Sequence, residues 1–205
     1  MNLLTDFSYL FEITTGVVAF FSRKKFKIPF YNFFFYYIVL VVLVETLGQV
    51  LRGYQINAIQ LYNFYTFFEF NLLGIIYWKL TYENQSHKSI SFFLVMFNII
   101  YFLSFVFVDL QNYTVIIGAV IVSSFMILYL KELLNSSKII FYEGKVSFWI
   151  TVGFLLYYLT SIPFQAVFYI IGLESRELFY IQHFIIILTH LCFIYGLLWS
   201  KKEVS

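Results

Sequence analysis

The chain has 205 residues, of which 61% are hydrophobic, 24% are aromatic and only 12% are charged, and its formal net charge is +2. A soluble globular protein carries about 25% charged residues, so the polar residues here could not cover the apolar ones in water. The composition excludes a soluble protein and predicts an integral membrane protein. The single cysteine, Cys192, rules out an internal disulfide.

Seven apolar segments, separated by short polar clusters, predict seven transmembrane helices. They cover residues 6–22, 28–51, 59–80, 89–108, 113–134, 148–172 and 178–199. The first is the weakest because Asp6 and Glu12 interrupt it. It has no basic start and no small-residue cleavage site, so we expect it to be retained rather than removed as a signal peptide. No connection is long enough for a soluble domain. The predicted fold is therefore all-α: one polytopic membrane domain over residues 1–205, built as a seven-helix transmembrane bundle.

Positive charge is distributed unevenly over the connections between these spans. Only Arg52 and Arg176 fall on one side of the predicted bundle. The other side holds Arg23, Lys24, Lys25, Lys27, Lys79, Lys88, Lys131, Lys138, Lys145, Lys201 and Lys202. Because cytoplasmic loops carry an excess of Lys and Arg, the bias predicts the N-terminus outside and the C-terminus in the cytoplasm. Residue usage rich in phenylalanine and lysine is typical of AT-rich bacteria, so the expected location is the bacterial inner membrane.

Three sequence features bear on helix packing. Pro163 lies well inside the sixth span and predicts a kink, because proline lacks an amide donor and clashes with the carbonyl one turn earlier. The chain contains no Gly-x-x-x-Gly, so tight glycine-mediated helix pairing is not indicated. Asn63, Asn71 and Asn98, in spans three and four, are interpreted as hydrogen-bonding residues between helices.

Ionisable and amide side chains inside the spans are the candidates for function, because such groups normally face protein or a water-filled cavity. Most of them fall in the middle or the outer half of the predicted bilayer. The candidate ligand-binding or proton-binding residues are Glu45, Gln49, Arg52, Glu69, Gln165, His183 and His190. If their helix faces converge, they form a polar cavity open to the outside. A second interpretation, given equal weight, is that they are polar contacts that hold the helices together.

Metal and catalytic sites are not favoured by these residues. His183 and His190 stand about 10.5 Å apart along a straight helix, whereas nitrogens that share one zinc lie within roughly 4 Å of each other. There is no His-Glu-x-x-His, and Ser161 has neither a nucleophile-elbow sequence nor an identifiable base. Span seven lacks the internal lysine that a retinal pigment needs. We therefore predict no metal, no cofactor and no nucleic-acid partner. Enzymatic activity is left open, with a non-enzymatic role favoured over a catalytic one.

The topology resembles that of two groups of bacterial membrane proteins. Seven spans with an external N-terminus and almost no loops are similar to the seven-helix sensor modules of histidine kinases. They are also similar to stand-alone bacterial seven-transmembrane-helix proteins of unknown function. Asn63-Phe64-Tyr65 with Glu69 in span three, and Phe148-Trp149 opening span six, contribute to the likeness. The resemblance implies signalling through a separate cytoplasmic partner, because this chain holds no kinase domain.

Three functional hypotheses follow from the sequence. The first is a receptor-like or accessory inner-membrane protein with an outward-facing polar pocket for a small ligand. The second is a small secondary or proton-coupled transporter, in which Glu69 and His190 titrate and Pro163 provides the break for alternating access. The third is a membrane accessory of a defence or secretion system. The expected partners are the lipid bilayer, a small molecule and a cytoplasmic signalling protein. We expect a monomer or dimer, because polar groups spread over four spans suit one shared interior.

Overall fold

The computed structural model describes residues 3–81, 86–107, 110–135, 142, 144–172 and 176–204. Within them the regular structure consists of helices and two short strands, joined by short turns and loops. The helices are α1 (Leu3–Ser22), α2 (Pro29–Gly53), α3 (Ile59–Leu80), α4 (Ser86–Ser104), α5 (Leu110–Asn135), α6 (Val146–Gln165) and α7 (Arg176–Trp199). A π-helical segment, Ala166–Ile171, continues α6, and the strands are β1 (Phe26–Lys27) and β2 (Glu203–Val204). The predicted all-α, seven-helix architecture is confirmed. The end of predicted span 89–108 differs: α4 stops at Ser104, and residue 108 lies outside the described residues.

Six of these helices are long and apolar enough to cross a membrane, which indicates a multi-pass membrane protein. They are Leu4–Ser22, Pro29–Gly53, Ser86–Ser104, Tyr113–Asn135, Val146–Ile171 and Glu177–Trp199. The exception is α3, because residues such as Asn63, Glu69 and Asn71 lower its mean hydropathy. Its 22 residues pack against α2, α4 and α5. Glu69 is buried, so α3 carries its central carboxylate inside the protein.

The main helix contacts close into a ring. Going around it, α1 packs against α2, α2 against α3, α3 against α5, α5 against α6, α6 against α7, and α7 returns to α1. α4 packs on this ring against α3 and α5. Because the first and last helices are neighbours, polar residues from opposite ends of the chain can line one interior.

Three aromatic rings fill part of that interior, and we call them the aromatic floor. Phe34 of α2, Phe154 of α6 and Phe193 of α7 have ring centroids 4.9 to 6.1 Å apart, with their planes strongly tilted to each other. These are edge-to-face geometries, which aromatic pairs prefer over face-to-face stacking. All three side chains are buried. The aromatic floor therefore joins three helices of the ring at one level.

Close packing of α6 and α7 depends on single glycines, which contradicts the expectation drawn from the missing Gly-x-x-x-Gly. A Cβ at Gly153 would lie 2.6 Å from the Phe193 ring and 3.1 Å from the carbonyl oxygen of Thr189. A Cβ at Gly196 would lie 2.5 Å from Cβ of Trp149. Each glycine thus makes room for a large side chain or the backbone of the facing helix. Gly-x-x-x-Gly requires both glycines on one helix, whereas Gly153 lies on α6 and Gly196 on α7.

Pro163 is followed by a change of helix type. Regular α-helix ends at Gln165, and the next six residues form the π-helical segment, which ends at Gly172 in a left-handed conformation with φ of 71°. Proline inside a helix removes one amide donor, and π-turns often occur where a helix carries a function. The wall that α6 contributes to the ring is therefore irregular over its last turns.

Helices α3 and α4 are joined by a reciprocal amide pair. Asn71 Nδ2 donates to Asn98 Oδ1 at 3.0 Å, and Asn98 Nδ2 donates to Asn71 Oδ1 at 2.9 Å. Each amide also donates to the carbonyl oxygen four residues earlier, in Phe67 and Leu94. The interpretation as interhelical hydrogen-bonding residues is confirmed for Asn71 and Asn98. For Asn63 the interhelical bond instead uses the backbone carbonyl, which accepts from the Tyr101 hydroxyl at 3.0 Å.

One end of the bundle holds the C-termini of α1 and α7, and we call it the basic end. The segment after α1 stabilises it. Lys25 Nζ donates to the carbonyl oxygens of Leu197 at 3.0 Å and Leu198 at 2.8 Å. The last carbonyls of a helix have no partner within the helix and favour a cation. Partial burial lowers the pKa of the Lys25 ammonium. Strand β1 pairs in parallel with β2 just beside this contact.

Candidate functional site

A cavity of about 650 Å³ lies at the end of the bundle opposite the basic end, and we call it the polar cavity. The N-terminal parts of α1, α3 and α7 and the C-terminal parts of α2 and α6 surround it. Five of the seven candidate residues line it: Glu45, Gln49, Arg52, Gln165 and His183. The structure thus brings these five together, and their roles in binding stay predictions.

Glu12 of α1, which is not one of the seven candidate residues, also lines the polar cavity. Its side chain is 5% exposed, and among the described residues its Oε2 atom has no hydrogen-bond partner. A buried polar atom that stays unpaired is costly, and each such atom in a native protein calls for an explanation. Gln165 has a buried, unpartnered oxygen of the same kind in the described part of the chain. Two polar atoms at this cavity therefore have unused hydrogen-bonding capacity.

A second, smaller space of about 80 Å³ adjoins the polar cavity, and we call it the inner chamber. Glu12, Glu45 and Tyr157 line both spaces, so they stand where the two meet. Phe154 and Phe193 of the aromatic floor line the inner chamber as well. Polar groups thus extend from the polar cavity down to the aromatic floor.

Glu45 forms a polar group with Tyr62 and Arg52. The Tyr62 hydroxyl donates to Glu45 Oε2 at 3.5 Å and accepts from Arg52 Nη1 at 3.3 Å. Arg52 Nη2 lies 4.0 Å from the same carboxylate oxygen, and the arginine side chain is 53% exposed. Gly48 permits this arrangement, because a Cβ there would lie 2.5 Å from the Tyr62 hydroxyl oxygen. The group places one positive charge beside Glu45, at the exposed side of the polar cavity.

His183 is held in the wall by two hydroxyls of α1. Its Nδ1 lies 3.0 Å from Ser8 Oγ, and its Nε2 lies 3.3 Å from Thr5 Oγ1. The Ser8 hydroxyl donates to the Thr5 carbonyl at 2.9 Å, so its oxygen accepts from Nδ1–H. Nε2 then accepts from the Thr5 hydroxyl. The two hydroxyls thus fix the His183 ring against α1 in the cavity wall.

His190 makes the corresponding contact one level deeper. Its Nδ1 lies 2.9 Å from Thr15 Oγ1, and the Thr15 hydroxyl donates to the carbonyl of Phe11 at 2.9 Å. Nδ1 therefore carries the proton, and Nε2 is an acceptor. His190 lines the inner chamber rather than the polar cavity. The two histidines of span seven thus serve different spaces, although they share one helical stripe.

Glu69 is separated from both spaces by tyrosines. Its Oε1 accepts hydrogen bonds from Tyr158 at 2.6 Å and from Tyr65 at 3.1 Å. Tyr65 lines the inner chamber, whereas Glu69 is not among the described residues that line either space. Sequence reasoning missed the role of these tyrosines, although Tyr65 lies four residues before Glu69 on the same helix face.

The described residues contain no group of three His, Cys, Asp or Glu side chains that could hold a metal ion. The side chains that line the polar cavity include carboxylates, the guanidinium of Arg52, amides and aromatic rings. Groups of this kind can hold a small ligand through charge and hydrogen bonds.

Comparison of the chain with protein-family models, with curated proteins and with solved structures finds no match. The resemblance to seven-helix sensor modules therefore stays a prediction from topology. Function has to be argued from the polar cavity itself.

Proposed function

We propose that this protein is a receptor-like or accessory membrane protein that binds a small ligand in the polar cavity. The observation that carries the proposal is Glu12 Oε2, which in the described structure is buried and unpartnered inside a cavity of about 650 Å³. Ligand pockets typically have volumes of about 300–1,000 Å³, apolar and aromatic walls and a few convergent polar groups. A ligand donor would pair the oxygen that the protein leaves unpaired.

The same proposal includes an orientation and a location. The polar cavity faces the outside of a bacterial inner membrane, and the N-terminus is external. Helix α3 crosses the membrane in addition to the six more apolar helices, which gives seven spans. Support comes from the positive residues of the sequence, including Arg23, Lys24 and Lys25, which belong to the basic end. A ligand would enter from outside. A cytoplasmic or membrane partner would bind at the basic end and distinguish the liganded from the unliganded protein. A role beside a defence or secretion system would use the same binding event.

Ligand binding is tested by thermal unfolding of the protein in lipid nanodiscs against a library of small amines, acids, zwitterions and neutral polar compounds. We expect at least one class to raise the melting temperature in a saturable way, because a ligand that binds only the folded state stabilises it. Gln49→Trp should abolish this shift by filling the cavity wall. Leu47→Trp, at a position of the same helix that is 50% exposed, is the matched control and should keep it. A shift that survives Gln49→Trp would place the ligand elsewhere.

A proton-coupled transporter is the second candidate, and a specific observation favours keeping it. Glu12, Glu45 and His190 line one continuous series of spaces from the polar cavity to the aromatic floor. Protonatable groups in such a series are typical of proton relays in transporters. Flux into proteoliposomes with an imposed pH gradient separates the two candidates. A receptor gives binding without flux, whereas a transporter gives flux that Glu12→Gln and Glu45→Gln reduce.

A further inference from the structure

An apolar groove of about 200 Å³ runs between α6 with its π-helical segment and α7, and we call it the side groove. Its walls include Pro163, Val167, Leu178, Ile181 and Ile185. Pro163 and Ile181 are exposed on the helix surface, and Ile181 is 55% exposed. In a membrane-spanning bundle, such a surface faces lipid chains. The side groove therefore offers an apolar ligand segment a place that opens towards the bilayer.

The side groove and the polar cavity adjoin each other. Tyr157, Phe164 and Gln182 line both of them, and Tyr157 also lines the inner chamber. Three spaces thus meet at Tyr157. Tyr157 and Phe164 lie on α6 on either side of Pro163, so this helix forms one wall of the junction. A single ligand with a polar head and an apolar chain can occupy both the polar cavity and the side groove.

The charges at this junction favour a cation. Glu12 and Glu45 both line the polar cavity and the inner chamber, so two carboxyl groups border the same junction. Arg52 is paired with Glu45 at the exposed side. The oxygen left without a partner in the described residues is that of Glu12, an acceptor that calls for a donor. An ammonium group supplies three donors and a positive charge, and aromatic faces such as that of Tyr157 stabilise cations further.

We propose that the ligand is a cationic amphiphile, namely a protonated primary amine with an apolar chain. This inference rests on the proposed ligand-binding function and names its ligand class. The ammonium group lies between Glu12 and Glu45, and the chain passes Tyr157 into the side groove. The ligand enters laterally from the bilayer, since the side groove opens there.

The test uses four probes with the protein in nanodiscs: n-octylamine, n-octanol, n-octanoate and n-propylamine. Binding is measured by equilibrium dialysis with radiolabelled probe, and protein-free nanodiscs are subtracted to remove partitioning into lipid. We expect saturable binding of octylamine, at least tenfold tighter than that of octanol, octanoate or propylamine. The first two comparisons isolate the charge, and the third isolates the chain.

Variants then locate the two halves of the ligand. Glu12→Gln should weaken octylamine binding at least tenfold, and Glu45→Gln serves if the first variant does not fold. Asp6→Asn removes one exposed carboxylate from the same helix outside the cavity and should change the affinity less than twofold. Ile181→Trp should reduce octylamine affinity to that of propylamine, because it fills the side groove. Leu191→Trp, at another exposed position of α7, should leave it unchanged.

The possible failures are distinguishable. Octanoate or octanol binding as tightly as octylamine, with no effect of Glu12→Gln, would overturn the cation assignment and leave a ligand-binding protein. Equal affinities for octylamine and propylamine would overturn the placement of the chain in the side groove. If neither these probes nor the library compounds bind saturably, the proposed function fails together with its ligand class.

Discussion

Replacing Gly48 by alanine should disturb the polar cavity through one atom. A Cβ at this position would lie 2.5 Å from the Tyr62 hydroxyl oxygen, and ordinary contact begins at 3.4 Å. The hydroxyl must therefore withdraw by about 0.9 Å. Its hydrogen bonds to Glu45 and Arg52 are already 3.5 and 3.3 Å long, so this displacement breaks at least one of them.

The stability effect can be estimated from two opposing terms. Overfilling a packed site costs about 1–3 kcal/mol, whereas alanine is favoured over glycine in a helix by about 1 kcal/mol. Gly48→Ala should therefore lower the free energy of unfolding by about 1 kcal/mol. Gly53→Ala is the matched control at the end of the same helix, where the described structure leaves the space around a new Cβ open to 4 Å. The control should be neutral or slightly stabilising.

The assay is reversible unfolding in mixed micelles with increasing sodium dodecyl sulfate, combined with octylamine binding for each variant. A second substitution, Tyr62→Phe, removes the hydroxyl and should restore most of the stability that Gly48→Ala loses, with a coupling energy of about 1 kcal/mol. If Gly48→Ala and Gly53→Ala have equal effects, or if Tyr62→Phe gives no relief, the steric reasoning is wrong.

Three other changes test separate parts of the structure. Asn71→Leu and Asn98→Leu should each lower the free energy of unfolding by about 0.5–1.5 kcal/mol, and the double variant should lose less than the sum, because neither amide is then left without its partner. Additive losses would contradict the reciprocal pair. Lys25→Met should speed amide hydrogen exchange in the last turn of α7, since two terminal carbonyls lose their donor, and unchanged exchange would show that this contact does not hold the helix end. The topology is tested with Gln55→Cys and Lys202→Cys, each on a background without the native cysteine. The Gln55→Cys variant should react with a membrane-impermeant maleimide added outside, whereas the Lys202→Cys variant should react only after lysis. The reverse pattern would invert the proposed orientation.

Depth and helical periodicity were enough to bring most of the candidate residues to one place. Glu45, Gln49 and Arg52 lie on one stripe of α2, and the structure sets them around the polar cavity. Glu69 has a comparable depth but lies behind Tyr65, which contacts it from four residues earlier. Position along a helix predicts the level of a side chain in the bundle. It does not predict which bulky neighbour covers that side chain.

The arrangement of helices around the ring could not be predicted from the chain. The contact between α1 and α7 depends on side chains such as Thr15 and His190, which are 175 residues apart. Glu12 was undervalued for the same reason, because an acidic residue in a marginal span counts against insertion until its neighbours are known. Gly153 was overlooked because its partners lie on another helix. These features result from tertiary packing, which leaves no periodic signal in one segment.

The contact between the first and last helices has a consequence for biosynthesis. The hydroxyls of Thr5, Ser8 and Thr15 find their imidazole partners only after 175 to 178 more residues have been made. At about 5–20 residues per second, α1 waits roughly 10–35 s after its own synthesis before α7 follows it. During that interval Glu12 and these hydroxyls lie in a bundle whose ring is still open. Until α7 emerges these hydroxyls lack their imidazole partners, and truncation ahead of Arg176 would leave them so permanently.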